Sequence, residues 1–388
     1  MANTLTNDID KILSMGLVVL RENAIMPRLV NRNYDSMAAR KGSTIDIPIA
    51  NDFSVRAVSP GVVHSASGMN DINPTLKQCT LDKWYESPFV MSDKEYMEAQ
   101  EGVIPRSIES AVKSIANQVD QDIMALYKKV GNSVGTAGTT PYASNIDIFL
   151  DAQTYLYDNL MPANENHFSV HNAAGYNAAL KLGTFHQADQ TGDQNGIVNG
   201  YIGRKFGADW HIDQNVPTHT CGTLSNGTGR LAKIDNASVA IGDTSVDMDD
   251  TSLSGTITAG DLFTVAGDSQ TYTVLAAVTA SGNALSGVTF FPAAKVAWAD
   301  DAVVTFKGAA GATYKNNLIF HPDAFVLASR PLQDVVMPGS IVRSMVDELT
   351  GLTLRLEVSR QNKQTQWSFD VLYGVTELRP ELAARILG

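Results

Sequence analysis

The segment IGRKFGADWHIDQNVPTHTCG, Ile202 to Gly222, gathers His211, Asp213, His219 and Cys221 in one short span. Imidazole, carboxylate and thiol are the groups from which zinc centres and general acid–base pairs are built. A metal-dependent hydrolase using His211, Asp213 and His219 is therefore one function to weigh. The spacing does not preorganise it, because no pair stands at i, i+4 on a helix or in a CxxC. Alternation of Trp210, Ile212 and Gln214 instead suggests a strand that puts His211 and Asp213 on one solvated or interface-facing side.

Other chemical patterns weaken in context. GNSVG, Gly131–Gly135, matches the GxSxG nucleophile elbow, which needs a strand entering and a helix leaving. Here a helical pattern enters and a Thr/Gly/Pro loop leaves, so a helix-ending loop is expected. His171 before Asn172 and His321 before Pro322 read as turn or capping positions. The Asp249-Asp250 and Asp300-Asp301 pairs sit at turn signals without the spacing of a calcium loop. A phosphate-cradling GxxxxGK[ST], a GxGxxG and an HExxH are absent from the sequence. The expectation is a protein without catalytic residues, metal or cofactor.

The elements that would position these residues follow from periodicity. Ile9, Ile12, Leu13, Leu17 and Leu20 predict an amphipathic N-terminal helix. Alternation over Ile45–Val58 and again over Cys79–Met91 predicts two long strands, with the Gly/Ser/Asn-rich stretch Ser59–Thr75 as the tip of a hairpin. Ile104, Ile108, Val112, Ile115, Val119, Ile123, Leu126 and Val130 repeat at threes and fours, which predicts a spine helix on the order of 40 Å long. Helical spacing recurs at Asp147–Leu160 and Ala173–Leu182, with NHFSVHN between them as a buried strand. From about Thr223 to Lys307, Thr, Val, Gly and Asp dominate and short β runs alternate with turns, which predicts an inserted all-β unit, a barrel, able to fold on its own. Two more alternating strands lie in LTLRLEVSRQNKQTQWSFDVLYGVTEL.

At 388 residues the chain exceeds one domain of roughly 150 residues. Its net charge of −12, without any basic block, argues against a sequence-reading nucleic-acid binder. Two cysteines, Cys79 and Cys221, support neither a disulfide framework nor a structural zinc site, which fits a reducing cytoplasm. Leu17–Leu20 is too short for a membrane span and no basic leader precedes it, so no signal peptide or anchor is expected.

This order of elements resembles the major capsid (coat) proteins of tailed double-stranded DNA phages, which have the Hong Kong 97-type α+β fold. It is most similar to the phage P-twenty-two-like coat proteins, which carry an inserted β-barrel. The residues that carry the resemblance are STIDIPIANDFSVRA, SIESAVKSIANQVDQDIMALY, IGRKFGADWHIDQNVP, FHPDAFVLASRPL and VLYGVTELRPELAARI. The resemblance implies an N-terminal arm over 1–42, an extended loop over 43–92, a spine helix and the start of a peripheral domain over 93–146, and an axial domain over 147–222. It further implies the barrel over 223–308, the axial domain again over 309–350, and closing peripheral strands over 351–388.

The function so implied is self-assembly into hexamers and pentamers of an icosahedral shell around packaged DNA, with a scaffolding protein and a portal as partners and no membrane. Assembly would occur in the host bacterial cytoplasm and the product would be a virion. A shell of the same fold holding protein cargo is the near alternative, and a tail or decoration protein a third. Intersubunit contacts are expected at Phe53, Val55, Arg56, Leu81, Lys83 and Trp84, and at Arg204, Lys205, Asp209, His211 and Asp213. The family's Lys–Asn crosslink has no recognisable motif here, and none is expected.

Overall fold

The computed structural model describes residues 6–34, 44–49, 53, 55, 57, 74–98, 103–163, 166–187, 198–236, 238–334 and 338–388. The arm helix Thr6–Asn23 forms where the sequence places its apolar stripe, and Leu13, Leu17 and Leu20 bury that stripe in the main core with the spine. The spine helix, Val103–Met124, buries Ile108, Val112, Ile115, Val119 and Ile123 in the same core. Its 22 residues give about 33 Å, shorter than expected from the pattern. The apolar repeat continues through Tyr127 and Val130, but the backbone tightens there into a 3-10 turn, Ala125–Lys129. The reason lies in where the last carbonyls go. Thr273 Oγ1 donates to Lys128 O (3.0 Å) and Arg385 Nε to Val130 O (2.8 Å), so partners outside the helix satisfy its end.

Under the spine lies an antiparallel sheet built around Gln364–Glu377. One side of that strand pairs with Thr353–Gln361 and Phe325–Ser329, the other with Lys83–Ser92, and Ser340–Val346 pairs with Thr353–Gln361. The expected continuous strand Cys79–Met91 is in fact broken. Thr75–Thr80 pairs with Thr44–Ile49 as the base of the hairpin, whereas Lys83–Ser92 joins the sheet. Leu81 causes the break by entering a small separate core with Ile45, Ile47, Cys79, Val326, Ala328 and Leu378. The hairpin passes so close to the sheet that a Cβ on Gly374 would stand 2.3 Å from Thr80 O. The outer part of the first predicted strand, Ala50–Val58, is described only at Phe53, Val55 and Ala57, and the tip at 59–73 lies outside the described residues.

A second sheet has the order Ser133–Val134, Ala383–Leu387, Thr313–Phe320, Phe168–His171, Ala208–Ile212 and Arg204–Lys205, with Thr218–Thr220 also on Thr313–Phe320. The helices Asp147–Asp158 and Ala173–Leu180 accompany it, close to the sequence reading. Of the two histidines expected at turns or caps, His321 does cap, its Nδ1 accepting from Asp323 N, whereas His171 is the buried last residue of the strand Phe168–His171 and the cap is its neighbour Asn172, whose Oδ1 accepts from Gly175 N.

The predicted barrel is present and closed, in the order Ser245–Asp249, Ala284–Phe291, Tyr272–Val274, Leu262–Val265, Val303–Phe306 and Leu231–Ile234. Phe263, Tyr272, Phe290 and Trp298 fill it, and its buried residues form a cluster distinct from the main core. The chain enters from Thr220 and returns at Thr313, and these two residues are paired strand neighbours. An insertion between adjacent strand positions leaves the host sheet continuous.

A candidate assembly surface and a buried polar seam

The hairpin and sheet edge leave apolar side chains uncovered. Val55 is 100% exposed, Phe53 56% and Trp84 62%, and Leu76 and Val90 are exposed as well. Trp84 lies on Lys83–Ser92, a strand that among the described residues pairs on one side only, and alternation puts Trp84 and Val90 on the face opposite Tyr85, Phe89 and Met91, which pack against the main core. Its indole Nε1 donates to Asp370 Oδ2 (2.9 Å), and that carboxylate is also held by Arg355. The ring is therefore presented in a fixed orientation with its apolar surface in solvent. Leu81, expected on this surface, is buried in its own chain, and Lys83 pairs with Asp122 of the spine (3.5 Å). Arg56 lies outside the described residues.

The Arg204–Asp213 segment divides. Arg204 is exposed, with Nη2 donating to Gly207 O (3.4 Å). Lys205 and Asp209 are half-buried, and the Lys205 carbonyl accepts from Trp210 Nε1 (3.2 Å). Trp210 is buried, stacked at 4.6 Å on both Phe149 and His171. The strand expected to carry both His211 and Asp213 ends at Ile212, so Asp213 follows it. His211 is half-buried, whereas Asp213 is buried and its Oδ1 accepts from Asn215 N (2.7 Å). Burial holds the His211 imidazole below its usual range and the Asp213 carboxyl above its own. Asp120 of the spine belongs with this region. Its carboxyl accepts from Ile25 N (3.2 Å) and Met26 N (3.1 Å), and burial, with repulsion from Asp213, pushes its pKa up to about 8.

His219 takes no part in a His211/Asp213 cluster. Its Nδ1 meets the Tyr127 hydroxyl and its Nε2 meets Asp261 Oδ1, each at 3.0 Å. The Asp261 carboxylate must accept, so Nε2 carries the hydrogen and, in the neutral ring, Nδ1 accepts from Tyr127. Asp261 also accepts from Arg230 Nη2 (2.6 Å), Thr258 N (2.9 Å) and Gly222 N (3.1 Å). Burial pushes the Asp261 carboxyl up, but the His219 hydrogen bond, the Arg230 charge and the Thr258 amide together hold it below its usual value.

This network continues into a seam between the barrel and the rest of the chain. Arg385, fully buried in the last strand, donates from Nε to Val130 O, from Nη1 to Gly260 O (2.8 Å) and from Nη2 to Thr273 Oγ1 (2.7 Å), and lies over the Tyr127 ring. Gln270 Nε2 reaches Asn132 Oδ1 (3.2 Å), and Lys307 Nζ reaches Ser133 Oγ (2.9 Å). Gly131 permits the approach, since a Cβ there would stand 2.5 Å from Pro292 Cδ. GNSVG is thus a docking loop. Ser133 is buried and forms a short strand with Ala383–Leu387, which departs from the elbow geometry.

The ligand atoms of His219, Cys221 and Asp261 lie within 4.8 Å of one another, the one such group among the described residues. They do not fit a metal. Asp261 is already fully engaged, one of its donors is a buried guanidinium, Arg385 lies close enough to act on the same groups, and burial pushes the Cys221 thiol up. A dication here would meet two buried positive charges and a protonated ligand.

No family model and no curated relative matches this sequence. Among solved structures, a chain from Mycobacterium phage Che8 aligns at a TM-score of 0.52 and 15% identity, over 94% of this chain and 90% of that one. The two chains share a fold. Likenesses with lower scores are to a chain in the capsid structure of the cyanophage P-SCSP1u (TM-score 0.49, 13% identity, 94% of this chain and 87% of that one). Another is to a chain from the asymmetric unit of the bacteriophage PhiM1 mature capsid (TM-score 0.49, 11% identity, 90% and 83%). The element order, the two sheets with their helices and the closed barrel agree with the α+β architecture that the sequence suggested. No described helix is long and apolar enough to cross a membrane.

Proposed function

We propose that this chain is a phage major capsid protein that assembles into hexamers and pentamers of an icosahedral shell around double-stranded DNA. The observation that carries the proposal is the uncovered apolar surface of the hairpin and sheet edge, at Phe53, Val55 and Trp84. Surface of that kind is covered by a neighbour, and heterologous contacts that close by rotation give rings. Arg204, Lys205 and Asp209 lie at or near the chain surface, where their charges can set register between subunits. The inserted barrel supports the closer comparison with P-twenty-two-like coat proteins. The net charge of −12 suits a container that encloses DNA without gripping it.

A scaffolding protein and a portal would be its partners during assembly in the host cytoplasm, and the virion its final location. The role is structural, without catalysis. Negative-stain microscopy of the protein expressed with its scaffold is expected to show shells, tubes or rings. A strictly monomeric protein at high concentration under those conditions would sink the proposal. Nuclease-protected DNA inside particles recovered from infected cells separates a genome shell from one holding protein cargo.

A further inference from the structure

Lys307 follows the last barrel strand, and its amine crosses to the docking loop to donate to Ser133 Oγ at 2.9 Å and Ser133 O at 3.3 Å. No carboxylate stands within ion-pair distance of it among the described residues. Two exposed lysines, Lys113 with Glu109 (2.5 Å) and Lys233 with Asp301 (3.2 Å), do have such partners. Lys307 also lines a surface cleft of about 540 Å³, together with Ser133, Gly135 and, from the helix Asp147–Asp158, Asp151, Thr154 and Asp158. An amine that is largely withdrawn from water, lacks a counter-ion and is open to a cleft is an activated nucleophile, the more so beside another cation.

We propose that Lys307 is an acylation site, whose amine attacks neutral activated acyl donors such as thioesters. The donor's neutrality follows from Asp151 and Asp158 on the cleft wall, which disfavour anionic reagents. In the step, the Nζ lone pair forms an N–C bond to the acyl carbon, the thiolate departs with the electrons of the C–S bond, and the amine's proton leaves to the thiolate or solvent. The product amide has lost the charge and adds bulk between barrel and docking loop, so the modification acts on the seam. The groups that face Lys307 bear on its titration. They are Arg385 from the last strand, Asp151 and Asp158 from the helix, and Arg230 and Cys221, which both reach the Lys307 carbonyl. Burial, and secondarily the Arg385 charge, lower the amine's pKa to about 8.

Trace labelling of the full-length folded protein with acetic anhydride, read by peptide mass spectrometry, tests this. At pH 7.5 Lys307 is expected to label at least tenfold faster than Lys113 and Lys233, because a neutral fraction roughly 200-fold above that of an ordinary lysine near 10.4 outweighs its lower basicity and its partial burial. Its rate should level off just above pH 8 while theirs keep rising. Lys307→Arg should remove the fast phase of total incorporation. Labelling no faster than the reference lysines, a rate that climbs in step with theirs, or a fast phase that survives Lys307→Arg would each overturn the proposal.

Discussion

The seam at the base of the barrel and the edge formed by the hairpin and Lys83–Ser92 invert the usual disposition of side chains. In the seam, charged groups are buried and answered within the chain: Arg385 has three acceptors and Asp261 four donors from His219, Arg230, Thr258 and Gly222. At the edge, apolar groups are exposed and unanswered, with Val55 in solvent altogether. Polar burial of the first kind costs desolvation and is tolerated only when nearly every hydrogen bond is made, so it fixes one relative position of barrel and host. Apolar exposure of the second kind costs nothing in specificity within the subunit but leaves area that only another molecule can cover. One region fixes the seat of the barrel within the chain, and the other is the surface on which the proposed assembly depends.

The largest effect should come from the seam. Arg385→Met removes three donors and strands the Gly260 and Val130 carbonyls, so at about 1–3 kcal/mol per unsatisfied group urea unfolding is expected to show a loss of about 2–5 kcal/mol. A loss under about 1 kcal/mol would mean the barrel does not depend on that arginine for its seat. Replacing 223–308 by a Gly/Ser linker exposes the same Arg385 environment, so the host is expected to lose stability even though Thr220 and Thr313 can still be joined. The fragment 223–308 alone should melt cooperatively on its own core.

Asp261 and Asp120 should respond to pH in opposite senses. Asp261 has a folded pKa below its unfolded value, so its stabilisation is present above about pH 4 and is lost as acid protonates the folded state. Asp261→Asn should cost stability at pH 7 and shrink that acid-side slope in denaturation profiles. Asp120 has a folded pKa raised to about 8, so the folded state holds a proton that the unfolded chain has released. Stability should therefore decline from about pH 4 to pH 8, and Asp120→Asn should flatten the decline. A steeper decline in Asp120→Asn would contradict the assignment.

Much of this was legible in the sequence, for identifiable reasons. The spine, the arm helix and the barrel announce themselves through local patterns, periods near 3.6 or runs of β residues between turns. What alternation cannot report is a strand's partner, so the break at Leu81 between hairpin and sheet was invisible in Cys79–Met91. Likewise, an apolar repeat continues unchanged where a helix tightens into a 3-10 turn at Ala125. The seam was missed because its members are far apart: His219 meets Asp261 42 residues on and Tyr127 92 residues back. The one local signal was Arg385 itself, a lone charge inside the apolar closing run AARIL.

The smallest intrachain effect should come from the edge. Val55→Ser and Phe53→Ser should change the unfolding free energy of the unassembled subunit by less than about 0.5 kcal/mol while lowering shell yield. Trp84→Ala should cost about 1 kcal/mol more, since it also gives up the hydrogen bond to Asp370. Equal losses of folding and assembly would place these side chains within their own subunit. The most direct measurement is a cryo-electron microscopy map of the assembled particle, fine enough to place side chains. The account requires Phe53, Val55 and Trp84 to lie in van der Waals contact with a neighbouring subunit while Arg385 stays sealed within its own. Those three residues facing solvent in the particle would contradict it.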